Sequence, residues 1–116
     1  GVIVAAGESR RMGALKPLLP FGPHTVIEQV VAVARDSELS PLVVVLGHEA
    51  ERIAAHLPAD AQPAHNADYR EGGMFSSVCR GVREVPEEAA GVVLFVGDNV
   101  TLTPEVVRSL RSAWET

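Results

Sequence analysis

Three of the ten basic residues, Arg10, Arg11 and Lys16, fall within one short stretch, GESRRMGALK, and Lys16 is the only lysine in a chain of formal net charge −5. A glycine-bearing turn exposes backbone amides that can hold an anion, and cationic side chains beside it supply the compensating charge. With Glu8 as the single opposing charge, this loop suits a polyphosphate. Two common phosphate loops are excluded by spacing. A Walker loop needs glycine, four residues, glycine and then lysine, whereas Gly7 and Gly13 enclose five residues and Lys16 lies three further on. A dinucleotide fingerprint needs three closely spaced glycines, and the loop holds two. A plain connecting turn with solvated arginines remains the bland alternative. Pro17 and Pro20 weigh against it, because they stiffen the following segment and hold Lys16 at the end of the loop.

Asp98 is the second candidate. It follows the most apolar run of the chain, GVVLFV, so its carboxylate is carried to the end of a buried strand. An oxygen ligand there suits Mg²⁺, which takes one or two carboxylates together with substrate phosphates. Taken alone, GDN is equally good turn or capping chemistry. Ser76 and Ser77 have no Gly-x-Ser-x-Gly elbow around them, and their place near a helix start favours capping or ligand hydrogen bonds over nucleophilic attack. His24, His48, His56 and His65 lack metal-ligand spacing and are expected at the surface. Cys79, the lone cysteine, reads as a small core residue, and Trp114 as a packing residue.

The elements that must position these groups follow from apolar periodicity. Short buried runs alternate with longer periodic ones, the pattern of β/α units on a parallel sheet. Val2 to Ala5 and Leu42 to Leu46 read as strands covered on both faces. Residues 62 to 66, bearing Pro63, read as a short outer strand, and Val92 to Val96 as a central one. Helices are expected at 25 to 35, with Thr25 and Glu28 as a capping box, at 49 to 57 with Ile53, Ala54 and Leu57 on one face, and at 74 to 85. In the last of these Phe75, Val78, Cys79 and Val82 should face inward. Thr103 should cap a final helix with Pro104 at its first position. The expected fold is α/β, a three-layer Rossmann-like sheet of order 3-2-1-4. Its ligands should sit beyond the carboxyl ends of the strands, where the Ala6 to Lys16 loop and Asp98 both fall.

At 116 residues the chain holds at most one domain. Its 47% apolar and 22% charged content is that of an ordinary globular protein. A pI near 5.3 argues against a nucleic-acid or polybasic membrane surface. No run approaches a membrane span, and the single cysteine fits a reducing, cytoplasmic setting.

The stretch VAAGESRRMGALKPLLPFG closely resembles the opening signature of the MobA-like nucleotidyltransferases, and most closely their molybdenum cofactor cytidylyltransferase (MocA-like) branch. The matching positions are Ala5, Ala6, Gly7, Ser9, Arg11, Met12, Gly13 and Lys16. The resemblance implies that this loop wraps a nucleoside triphosphate, with small residues under base and sugar and Arg11 and Lys16 on the phosphates. NADYREGGMFSSVCRGV is similar to the segment that closes over the nucleotide, which implies Asn66, Gly73, Ser76 and Ser77 near base and ribose. LFVGDNVTLTPEVV resembles the metal-binding segment and implies Mg²⁺ on Asp98, although Val100 stands where the family usually has proline.

What the resemblance implies is a Mg²⁺-dependent nucleotidyltransferase with Arg11, Lys16 and Asp98 as its catalytic residues. The expected reaction moves CMP from CTP onto molybdopterin, with pyrophosphate released. Two alternatives accompany it: cytidylyl or uridylyl transfer to a sugar or polyol phosphate, and a nucleotide-binding module without catalysis. The resemblance covers essentially all 116 residues, which then form the N-terminal nucleotide-binding portion of a single longer domain. The expected partners are the triphosphate and the acceptor, with self-association or contact with a molybdoenzyme or chaperone, and neither nucleic acid nor membrane.

Overall fold

The computed structural model describes residues 1–6, 16–89, 91–97 and 103–115. The strands β1 (Val2–Ala5), β4 (Leu42–Leu46), β5 (Ala61–His65) and β6 (Leu94–Val96) form one parallel sheet of order β5-β4-β1-β6. In the order of these four long strands this is the expected 3-2-1-4. A two-residue hairpin, β2 (Pro20–Phe21) with β3 (His24–Thr25), was not expected; its turn uses Gly22 at φ 61°, a left-handed conformation that glycine adopts freely. It follows a 3-10 turn at Lys16–Leu18, so Pro17 sits in a turn while Pro20 opens the extended strand β2.

Val2 pairs with Val43 and Leu94, and Ile3 with Val44 and Phe95, so alternate residues of each strand share a face. On one face Ile3, Val44 and Phe95 pack beneath α1 (Val26–Asp36), α2 (Ala50–Ala54) and α4 (Pro104–Glu115) through Ile27, Val30, Val31, Ile53 and Val107. Val2, Val4, Val43, Val45 and Ala64 line the other face, under Tyr69, Val78 and Val85 of α3 (Tyr69–Arg83) and its exit. The result is three layers. Each fully buried branched side chain contributes about 1.5–3 kcal/mol on area grounds.

Local chemistry behaves as read at both helix starts that could be foreseen. Thr25 Oγ1 accepts from Glu28 N–H at 3.4 Å while Glu28 Oε1 accepts from Thr25 N–H at 2.9 Å, a complete capping box. Thr103 Oγ1 accepts from Val106 N–H at 3.3 Å ahead of Pro104.

Three expectations need correction. The third helix starts at Tyr69, and it is broken at Gly73, whose φ of 62° and ψ of −161° interrupt the helical path. Of its apolar stripe Val78 packs on the sheet, but Phe75 is 77% and Val82 45% exposed and Cys79 is half-buried, while Ser77 and Gly81 are the residues buried against the sheet side. A Cβ on Gly81 would meet Val2 Cγ1 at 2.4 Å, so the close approach of helix to sheet selects small residues there. Finally, β6 is an edge strand of the described sheet and not a central one, with Leu94 47% and Val96 42% exposed. Trp114 is a further expectation whose side chain lies outside the described residues.

Candidate functional site

Parallel strands end together, and the residues that follow them form a rim. Past β5, Asn66 donates its N–H to the carbonyl of Leu46 at 2.7 Å; past β4, His48 donates to Ala6 at 3.0 Å; past β6, Gly97 donates to Val4 at 2.8 Å. These bonds carry the sheet ladder one step further and set Asn66, His48, Ala6 and Gly97 side by side across the rim, in strand order. The basic loop leaves from Ala6, and Asp98 follows directly on Gly97.

The expected site residues divide accordingly. Ala5 and Ala6 are buried at the end of β1 on opposite faces, so what they present upward is backbone. Lys16 opens the 3-10 turn, but its side chain lies outside the described residues. Gly7, Ser9, Arg10, Arg11, Met12, Gly13, Asp98 and Val100 also lie outside them. The loop and Asp98 are therefore bracketed: Ala6 and Lys16 fix the two ends of the first, and Gly97 fixes the entry to the second.

Asn66, Gly73, Ser76 and Ser77 are brought together. Asn66, only 6% exposed, donates both amide hydrogens, to Ser76 Oγ and Ser77 Oγ at 2.9 Å each. Its Oδ1 accepts from Asp68 N–H at 3.1 Å, closing a turn that leads the chain into α3. Ser76 Oγ in turn donates to the carbonyl of Gly73 at 2.9 Å. The break at Gly73 is what lets the helix restart with its serines over Asn66; a continuous helix from Tyr69 would carry them round by a different angle. The cluster is neutral and rich in hydroxyl and amide groups. Asn66 and Ser77 are buried and the Asn66 amide is spent within the cluster, so the half-buried Ser76 is the side chain the cluster can offer a sugar or a base edge, and it offers no charge to phosphate.

Sequence reasoning set His48 aside as a surface residue. The structure makes it half-buried and places it in the middle of the rim, with its ring centroid 6.1 Å from that of Tyr69. The signal that could have found it is GHE directly after a buried strand, since the first residues past a parallel strand stand on the ligand side of the sheet. In the first turn of α1 the Glu28 carboxylate lies 3.9 Å from His24 Nδ1 and 3.8 Å from His56 Nδ1. The Thr25 backbone N–H, then its hydroxyl, hold the Glu28 carboxyl below its ordinary range. Among the described residues no group of three or more His, Cys, Asp or Glu side chains is arranged to hold a metal ion, and no helix is long and apolar enough to cross a membrane.

The family model described as MobA-like NTP transferase domain matches residues 1–116. A curated relative, the bifunctional protein GlmU of Streptomyces griseus, is 34% identical over 113 residues, which cover 94% of this chain and 23% of that protein. Among solved structures, Rv0371c of Mycobacterium tuberculosis H37Rv superposes with a TM-score of 0.85 at 27% identity, covering 97% of this chain and 58% of that one; the same protein has been solved in complex with manganese. A nucleotidyl transferase from Methanothermobacter superposes with a TM-score of 0.83 at 28% identity, covering 96% and 55%. The chain thus spans about a quarter of the length of the curated relative (23%) and somewhat over half of the solved ones.

Proposed function

The chain belongs to the MobA-like NTP transferase family, and from that premise we propose that it moves a nucleoside monophosphate from a nucleoside triphosphate onto a phosphorylated acceptor. An oxygen of the acceptor phosphate attacks the α-phosphorus, the bond to the bridging oxygen breaks, and pyrophosphate leaves with the electron pair. Such in-line transfer needs alignment and charge neutralisation more than it needs a protein nucleophile. Arg11 and Lys16 take the phosphates and oppose the charge that grows on the leaving pyrophosphate. Ser76, anchored by Asn66 beside Ser77, holds the nucleoside, and Gly73 gives the serines their place. Asp98 is the residue that would hold a divalent cation, Mg²⁺ in this reading, whose chemistry is to neutralise phosphate charge.

The observation that carries the reading is the order of the rim. The neutral hydrogen-bonding cluster at Asn66 stands at one side, and the exits toward the basic loop at Ala6 and toward Asp98 at Gly97 stand at the other. That is the polarity of a nucleotide laid across strand ends, nucleoside on the neutral cluster and triphosphate toward cations.

For the acceptor, the first reading is molybdopterin with CTP as donor, supported by the likeness of the Ala5 to Lys16 loop to the MocA-like branch. The second is a sugar or polyol phosphate. It is in keeping with the 34% identity to the bifunctional protein GlmU. Both take residues 1–116 as the N-terminal nucleotide-binding portion of one longer, cytoplasmic nucleotidyltransferase domain, in keeping with solved neighbours of which the chain covers 58% and 55%.

Calorimetric titration with CTP, GTP and ATP, with and without MgCl₂, tests the reading. Cation-dependent binding is expected, weakened about a hundredfold by Lys16→Ala and lost in its cation dependence in Asp98→Asn; about 3 kcal/mol is what one such charged contact contributes in a water-poor site. Failure of all three triphosphates to bind would sink it. Pyrophosphate release with molybdopterin against sugar phosphates then separates the two acceptors.

A further inference from the structure

Resting on the nucleotide-binding reading above, the geometry points to His48 as an additional nucleotide-contact residue, held in place by Tyr69. The backbone of His48 is fixed to the loop exit, its N–H on the Ala6 carbonyl at 3.0 Å. On its other side along the rim stands Asn66, so His48 lies between the neutral cluster and the start of the basic loop. A ligand reaching from one to the other must pass it.

The imidazole is also supported. Gly47 is buried, and a Cβ there would lie 2.7 Å from the Tyr69 ring, so the ring rests directly against the bare backbone at the end of β4. From that position Tyr69 meets His48 with centroids 6.1 Å apart and planes inclined by 54°, within the range of favourable tilted ring pairs. The Arg70 guanidinium carbon lies 5.6 Å from the Tyr69 ring centroid and adds a cation–π contact to the support. The residue after His48, Glu49, takes φ 53°, and its carboxylate faces Arg52 at 3.5 Å, which directs the adjacent negative charge toward α2. A half-buried imidazole so held offers one donor and one acceptor to a ribose or phosphate oxygen. The ligand class is a nucleoside triphosphate, met at its ribose-to-phosphate portion.

The experiment is titration of CTP, GTP and ATP with MgCl₂ into the wild-type protein, His48→Ala, His48→Gln, Tyr69→Ala and Tyr69→Phe, with melting temperatures alongside. His48→Ala should bind about fivefold to tenfold more weakly, the scale of one lost hydrogen bond, with its melting temperature unchanged. His48→Gln should recover most of that loss. Tyr69→Ala should weaken binding and Tyr69→Phe should not, because the ring and not the hydroxyl is the support. If wild type binds a triphosphate and both His48 variants bind it equally well, the inference about His48 is overturned and the nucleotide-binding reading stands. Equal damage from Tyr69→Phe and Tyr69→Ala would overturn the supporting role. A wild-type protein that binds none of the three overturns the nucleotide-binding reading and this inference with it.

Discussion

Gly97 lies so close to Ala5 that a Cβ placed on it would come within 2.8 Å of the Ala5 Cβ and 3.0 Å of the Val4 carbonyl oxygen. The absent side chain lets β6 end tight against β1, and it sets where Asp98 begins. Gly97→Ala must part the two strand ends. Overpacking of this kind costs about 1–3 kcal/mol, so urea unfolding should show a lowered midpoint. In the proposed site the displacement also carries Asp98 away from the loop. Cation-dependent triphosphate affinity should therefore fall by more than the stability loss accounts for; unchanged affinity in a folded Gly97→Ala protein would mean that Asp98 is not positioned this way.

Asn66 is the joint between β5 and α3. Asn66→Ala removes its two donations to Ser76 and Ser77 and its acceptance from Asp68. Ser77 is then left in a buried place without that donor. A loss of about 2–3 kcal/mol is expected from chemical denaturation. Asn66→Asp, which keeps the shape but cannot donate, should cost at least as much, and a neutral result for both would show the cluster to be incidental to stability.

The break in α3 rests on a conformation that is essentially confined to glycine. Gly73→Ala should cost about 1–3 kcal/mol for the strained backbone. No steric clash contributes, since nothing lies near a Cβ built there. The serines should shift off Asn66 as the helix relaxes, which hydrogen exchange at Ser76 and Ser77 would detect as faster amide exchange than in wild type.

The capping box on α1 makes stability depend on acid. Thr25 hydrogen bonds hold the folded Glu28 carboxyl below the 4.5 of its ordinary state. The contribution is present above that value and is lost as pH falls through the lowered folded value. Thr25→Ala should cost about 1 kcal/mol at pH 7. In Glu28→Gln the fall in melting temperature below about pH 4.5 should be shallower than in wild type. A parallel acid limb in both proteins would refute the linkage.

Among the described residues β6 ends the sheet, and its Leu94 and Val96 are exposed, as are Phe75 and Val82 of α3. An apolar edge strand of this kind invites pairing. The 116-residue chain should self-associate with rising concentration in sedimentation experiments, and Leu94→Lys with Val96→Lys should shift it toward monomer. A wild-type chain that stays monomeric at high concentration would contradict this.

Much of the frame was legible in the sequence, because it depends on neighbours along the chain. The ranges of β1 and β4, the Thr25–Glu28 box and the Thr103–Pro104 start follow from backbone hydrogen bonding and local periodicity. The order of the four long strands was expected from the alternation of strands and helices, which points to a doubly wound parallel sheet. The rim on which the proposed site is placed was legible too, since parallel strands deliver their exits to one side.

Only the tertiary structure decided which face of α3 meets the sheet and that His48 stands beside Tyr69 at the rim. The stripe of Phe75, Val78, Cys79 and Val82 is the more apolar face, yet Ser77 and Gly81 are buried, because the clearance above Val2 and Val45 admits only small side chains. Periodicity records how oily a face is and is blind to the distance at which two elements pack. The same holds for Gly47 and Tyr69, 22 positions apart in sequence, which meet only because β4 and α3 end at the same rim. Such contacts are set by the clearance between elements, a property of the assembled layers and not of any stretch of chain.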